Sequence, residues 1–264
     1  MGLEIEDLVI EVGGRRVVDG IGFRVDDGER VGLIGESGSG KSITALAVLG
    51  LLPDVARVSG SIRWNGRELL ALPDRALAGI RGREIGIVFQ EPATALNPIR
   101  TVGAQIAATL RNHFDVGRAE AHRRAVAAAR RVLLPHPEAI VRHYPHQLSG
   151  GQRQRVAIAQ AAIADPRLLI ADEPTTALDV TIQAEILDLF ERVVAETGSS
   201  LLFITHDLGV LSRIADRVVV LADGRVVEQA TTGELVRNPQ HEISRQLILA
   251  ARETSWRRPA EAKA

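Results

Sequence analysis

Apolar and charged residues alternate along residues 3–12 and again along 21–25, which is the period of strands with one face buried. Gly13-Gly14 and Asp27-Gly28-Glu29 supply turns after each of them. Four later runs are apolar without alternation: 31–34, 85–89, 167–171 and 200–204, and these read as strands buried on both sides. Between them the apolar period lengthens to that of helices. A helix from residue 41 to 51 stops before Pro53, and 61–64 with Asn65-Gly66 reads as a strand and turn. Residues 101–113 and 119–134 are helical and rich in alanine and arginine, broken by Pro135 and Pro137, and another helix runs from about 152 to 164. Residues 181–197 form an amphipathic helix. Residues 218–221 and 225–228 form a hairpin about Asp223-Gly224. A short helix and the polar stretch RETSWRRPAEAKA close the sequence, the latter expected to fray. Strands alternating with helices predict an α/β fold. The expected layout is one domain over 1–264: an α/β core with a β subdomain at 1–90 and 164–235, a helical insert at 91–163, and a C-terminal helix and tail at 236–264.

The stretch GESGSGKS follows the strand 31–34 and opens a helix. It satisfies G-x-x-x-x-G-K-[ST], with Gly35, Glu36, Ser37, Gly38, Ser39, Gly40, Lys41 and Ser42 in order. Glycines let such a loop curl its N–H groups inward on phosphate oxygens, and the helix start adds the positive end of its dipole. Lys41 is expected to reach the β- and γ-phosphates and Ser42 to ligate Mg²⁺. A glycine- and serine-rich surface loop is the alternative reading.

Three further polar sites stand at the carboxyl ends of apolar strands: Gln90, Asp172-Glu173 and His206. Ligands bind at that edge of an open parallel sheet. Asp172 is the expected acid supporting Mg²⁺, Glu173 the expected general base on the attacking water, and Gln90 a contact to Mg²⁺ and water. Taken singly, a loop glutamine or a strand-capping histidine is common; their convergence on one nucleotide is what gives them weight.

Composition sharpens two points. Lysine stands only at 41 and 263, so arginine supplies the other 30 of the 32 basic residues, and the phosphate loop keeps the compact ammonium. No cysteine is present, which excludes disulfides and thiolate-bound metal. A net charge of −1 and 45% hydrophobic residues describe an ordinary globular chain with no nucleic-acid footprint. No apolar run reaches the length of a membrane span.

Leu148, Ser149, Gly150, Gly151 and Gln152, followed by Arg153-Gln154-Arg155, resemble the signature sequence of ATP-binding cassette (ABC) ATPases. The resemblance extends over nearly the whole chain: Walker A at 35–42, Gln90, the signature, Walker B at 168–173, the D-loop Ala177-Leu178-Asp179, and the switch His206. It implies a P-loop NTPase cassette with a RecA-like core, an antiparallel β subdomain and an inserted helical subdomain. It also implies ATP and Mg²⁺ as ligands. In that family two cassettes, identical or different, pair head to tail, which implies that Ser149 and its neighbours serve the ATP of the partner and that Asp179 lies at the dimer contact. Ser149 is expected both to cap its helix and to bind phosphate.

A finer resemblance, carried by residues 90–98, Tyr144-Pro145-His146 and Asn238-Pro239-Gln240-His241, is to the dipeptide, oligopeptide and nickel importer branch. It implies two transmembrane permease subunits, an external solute-binding protein, a peripheral place on the cytoplasmic face of the inner membrane, and a peptide or metal chelate as solute. The apolar residues Pro92, Ala93, Ala95, Leu96 and Pro98 are expected to form an exposed docking groove. Two departures stand out: Val12 occupies the position of the adenine-stacking aromatic, and the cysteine-bearing extension of many peptide cassettes is not present in the sequence. Alternatives are an accessory cassette of a soluble enzyme complex, such as one cleaving carbon–phosphorus bonds, and a DNA- or ribosome-acting ATPase.

Overall fold

A computed structural model describes residues 2–90, 95–176 and 178–256, with side chains to residue 251. Glu91, Pro92, Ala93, Thr94, Ala177 and the tail beyond 256 lie outside the described residues, and the expectations placed on them lie outside with them.

Two sheets organise the chain. The first is antiparallel and four-stranded, in the order β2-β1-β4-β5. Its strands are β1 (Leu3–Val12), β2 (Arg15–Val25), β4 (Ala56–Trp64) and the two-residue β5 (Arg67–Glu68). The second has six strands in the order β10-β9-β3-β8-β7-β6. In it β3 (Arg30–Gly35), β6 (Ile85–Val88), β7 (Leu168–Asp172), β8 (Ser200–Thr205) and β9 (Arg217–Ala222) run parallel. The edge strand β10 (Arg225–Thr231) returns antiparallel to β9.

The second strand reaches back to Arg15, six residues before the expected start, and β4 begins at Ala56 rather than 61. Both additions carry exposed polar residues paired with β1, as in Arg57 opposite Glu11 and Arg16 opposite Glu11 on the other side. A sheet face open to water imposes no apolar signal at those positions.

The unbroken apolar strands are buried on both faces, and their alternate residues go to different cores. Leu202 and Ile204 of β8 join Leu33, Ile170 and Leu221 in a cluster with β1, β2, β4 and α1 (Lys41–Val48). Leu201 and Phe203 face the other way, into a cluster shared with the helices.

Between β6 and β7 the described chain is helical apart from its connections: α3 (Val102–Ile106), α4 (Ala108–His113), α5 (Arg118–Arg131), α6 (Pro137–Ile140) and α7 (Gly150–Ala162). The single helix expected over 101–113 is two helices with a turn at Ala107. The short α2 (Asp74–Ile80) follows β5. After β7 come α8 (Val180–Thr197), α9 (Leu208–Ile214), α10 (Thr232–Arg237) and α11 (Glu242–Trp256). Among the described residues no helix is long and apolar enough to cross a membrane.

Candidate functional site

The neighbours β3, β8, β7 and β6 are parallel, so their carboxyl ends open on one edge of the sheet. The phosphate-loop sequence follows β3, Gln90 lies two residues past β6, Asp172-Glu173 ends β7, and His206 follows β8.

The loop is seated by its main chain. Gly38 and Gly40 have φ of +82° and +102°, a region that suits glycine. A Cβ on Gly40 would come within 2.9 Å of Val18 Cγ2 and 3.0 Å of the Val17 carbonyl oxygen. One on Gly35 would lie 2.2 Å from the Leu221 carbonyl oxygen. Lys41 is only 4% exposed, and its Nζ donates to the Gly35 and Glu36 carbonyls at 2.8 Å each. Burial lowers its pKa, against the opposing pull of the Glu173 and Asp172 carboxylates. The buried Ser39 hydroxyl has no hydrogen-bond partner among the described residues.

Ser42 Oγ donates to Asp172 Oδ1 at 2.9 Å. Burial pushes the Asp172 carboxyl up and the neighbouring Glu173 charge adds to it, while the Ser42 hydrogen bond and the Lys41 charge act in the other direction. Glu173 has φ of +44°, a conformation that costs a non-glycine residue of the order of 1–3 kcal/mol and that clusters at functional sites. Its N–H is tied to the Ile204 carbonyl at 2.9 Å. Its Oε2 accepts from Thr176 Oγ1 at 2.9 Å and from Gln90 Nε2 at 3.3 Å, and lies 3.3 Å from His206 Nδ1. Residues from three strand ends thus meet on one carboxylate oxygen.

These groups border a cleft of about 770 Å³ lined by the phosphate loop, Gln90, Glu173, Thr176 and His206, with Val17, Ile43 and Leu247 as its apolar wall. Val12 is not among the lining residues. It closes β1, paired with Arg15 and Ala56, and packs half-buried against the β cluster. Thr176 and Leu247 escaped the sequence reading. A hydroxyl three residues after Glu173 was a usable signal for Thr176; nothing in the sequence marks Leu247.

Leu148, Ser149, Gly150, Gly151 and Gln152 also lie away from this cleft. Ser149 caps α7 as expected: its Oγ accepts from the Gln152 N–H at 3.3 Å, and Gln152 Oε1 accepts from the Ser149 N–H at 3.0 Å. Leu148 is buried, whereas Ser149 and Gly150 are exposed. Asp179 caps α8, accepting from the N–H groups of Thr181 and Ile182. A Cβ on Gly151 would lie 3.1 Å from Ile182 Cγ2, so the two helix starts adjoin.

The docking groove drawn from the sequence needs a correction. Leu96 is 3% exposed and belongs to the helical core, where an aliphatic side chain is held by packing. Three residues further on, Ile99 is an exposed large apolar residue, at 83%.

A family model described as ABC transporter matches residues 18–176, more than half of the chain. The chain belongs to the ABC transporter family. The oligopeptide transport ATP-binding protein OppD of Mycobacterium bovis is 52% identical over 241 residues, 89% of this chain and 39% of that protein. The peptidoglycan transport ATP-binding protein YejF of Agrobacterium fabrum is 49% identical over 235 residues, 88% and 43% of the two chains. OppD of Bacillus subtilis is 45% identical over 245 residues, 90% and 68%. The chain thus spans about two fifths of the length of the first two relatives. Among solved structures, the ATP-binding cassette MJ0796, a dimer in a post-hydrolysis state bound to ADP and Pi, superposes with a TM-score of 0.77 at 28% identity, over 87% of this chain and 98% of the other. The fold of this ABC family member is accordingly that of a P-loop cassette.

Proposed function

We propose that this chain is the ATP-hydrolysing subunit of an importer that carries small peptides. The observation that carries the reading is the cluster on Glu173, placed beside a main-chain phosphate cradle at the carboxyl edge of a parallel sheet. The cleft suits a polyphosphate: among the described residues Lys41 donates to the Gly35 and Glu36 carbonyls, which phosphate oxygens can replace, and Gly35 and Gly40 let the loop lie against Leu221 and Val17 where a side-chain carbon would clash. Gly35, Glu36, Ser37, Gly38, Ser39, Gly40, Lys41 and Ser42 would hold the phosphates. Ser42, Gln90 and Asp172 would hold Mg²⁺, which supplies charge neutralisation on the phosphate oxygens. Glu173 takes a proton from the attacking water, and Gln90, Thr176 and His206 fix its carboxylate while it does so.

For the whole assembly, the relatives' names refer to oligopeptide and peptidoglycan transport, which favours peptides over nickel. The dimeric neighbour supports pairing with a second cassette, in which the exposed helix start at Ser149 and Gly150 faces the partner's nucleotide and Asp179 lies at the contact. In this reading two transmembrane permease subunits and an external solute-binding protein complete the machine, with the chain peripheral on the cytoplasmic face of the inner membrane. Residues 1–90 with 164–235, 91–163 and 236–264 are its core, helical and C-terminal parts.

The proposal is tested in the assembled transporter. Ile99→Glu should abolish uptake of small peptides, or assembly with the permease, while the purified chain hydrolyses ATP at its normal rate. A strain lacking the gene that grows normally on limiting peptide, yet fails on a sugar or a phosphonate, would overturn the solute assignment.

A further inference from the structure

Leu247 belongs to α11, 71 residues beyond the end of the family-matched segment, yet it borders the same cleft as Glu173, Thr176 and His206. The helix that carries it is firmly placed. The Glu228 carboxylate on β10 accepts from the backbone N–H of Gln240 and of His241 at 2.9 Å each, just ahead of the helix start. Against the effect of burial, hydrogen bonding from the Ser244 side chain and from those two N–H groups holds the Glu228 carboxyl below its ordinary range. Ser244 and Ile248 are buried, and Ile243, Leu247 and Ala251 pack against the helical core cluster. That cluster includes Leu208, Val210 and Leu211 of α9, the helix into which His206 leads, and α11 packs directly on α9.

His206 itself is weakly confined. Its side chain is 58% exposed, and the contact to Glu173 at 3.3 Å holds only one edge of the ring. An imidazole that must keep one nitrogen on a carboxylate needs a wall that limits its other rotamers. Of the apolar residues that line the cleft among the described residues, Val17 stands on β2 and Ile43 on α1, whereas Leu247 comes from the helix packed on α9.

We propose that Leu247 is a positioning residue for His206, and that α11 thereby forms a working wall of the nucleotide cleft. The inference rests on the ATPase reading above. Trimming the side chain leaves the phosphate loop intact, so nucleotide affinity is preserved while the imidazole samples unproductive rotamers.

The test uses the full chain with Mg-ATP and four proteins: wild type, Leu247→Ala, Leu247→Met, and Leu249→Ala on the exposed side of the same helix. Leu247→Ala should lower kcat about 5- to 20-fold with KM within about twofold, since small misplacements of a catalytic group can cost up to 10²-fold. Leu247→Met should recover most of the rate, and Leu249→Ala should match wild type. Equal kcat in Leu247→Ala and wild type would overturn the proposal. So would equal losses in Leu247→Ala and Leu249→Ala, which would indicate general loosening of α11. If Leu247→Ala fails to fold by circular dichroism, Leu247→Val carries the same kcat-against-KM comparison. Wild type that neither binds nor hydrolyses ATP would instead refute the ATPase reading, so the two failures are distinguishable.

Discussion

Asp172 shows how the site trades stability for chemistry at the level of one residue. Its carboxyl is raised by burial, so in the nucleotide-free fold it holds its proton to a higher pH than in the unfolded chain. That contribution to stability is fully present below the ordinary carboxylate pKa of about 4 and is lost as pH rises through the raised value. Asp172→Asn cannot ionise and still accepts from Ser42. It should therefore melt above wild type at neutral pH, with the difference vanishing in acid, while Mg-dependent hydrolysis falls. Coincident melting curves across that pH range would contradict the burial argument. At Gly40 the constraint is steric: φ of +102° and a neighbouring carbonyl 3.0 Å from the would-be Cβ. Gly40→Ala should cost about 1–3 kcal/mol in a urea titration and weaken ATP binding. Spacing made the phosphate loop and the acids after β7 legible in the sequence, because those roles depend on residue type at fixed offsets. Leu247 and the burial of Leu96 were not legible, because both follow from how distant helices pack.

At the scale of elements, arginines join the helical part to the core helix α8. Arg155 on α7 donates to the Val132 carbonyl at 2.9 Å and to Glu185 at 2.7 Å, with its side chain 12% exposed. Arg131 bridges Asp165 and Glu196, and Arg192 donates to the Arg131 carbonyl. Charged hydrogen bonds with little access to water contribute roughly 1.5–3 kcal/mol, whereas exposed pairs contribute at most about 1 kcal/mol. Arg155→Met should accordingly lower the unfolding free energy by about 1–3 kcal/mol, and Arg16→Met, at a solvent-exposed pair, should lower it measurably less. Equal effects in denaturant titrations would contradict this ordering. The buried strands were readable because unbroken apolar runs have few other uses. The first half of β4 was hidden, since the outer face of an antiparallel sheet carries no apolar pattern, and that of β2 shows only the short pair Val17-Val18 between polar residues.

For the molecule as a whole, the parallel sheet brings four strand ends together, and the account depends on that edge hydrolysing ATP through Glu173. The residues come from segments 35–42, 90, 172–173 and 206; their place at the carboxyl ends of apolar strands made the convergence legible in the sequence, whereas the strand order that sets them side by side did not show in the pattern. The signature residues are the complementary case: Ser149 caps α7 away from the cleft, so its expected contact to phosphate needs a second cassette. The most direct test measures Mg-ATP binding and hydrolysis by wild type and Glu173→Gln side by side. The account predicts that binding stays within about twofold while hydrolysis falls roughly 10²- to 10⁴-fold, the usual contribution of a positioned general base. Hydrolysis by Glu173→Gln at the wild-type rate would contradict it.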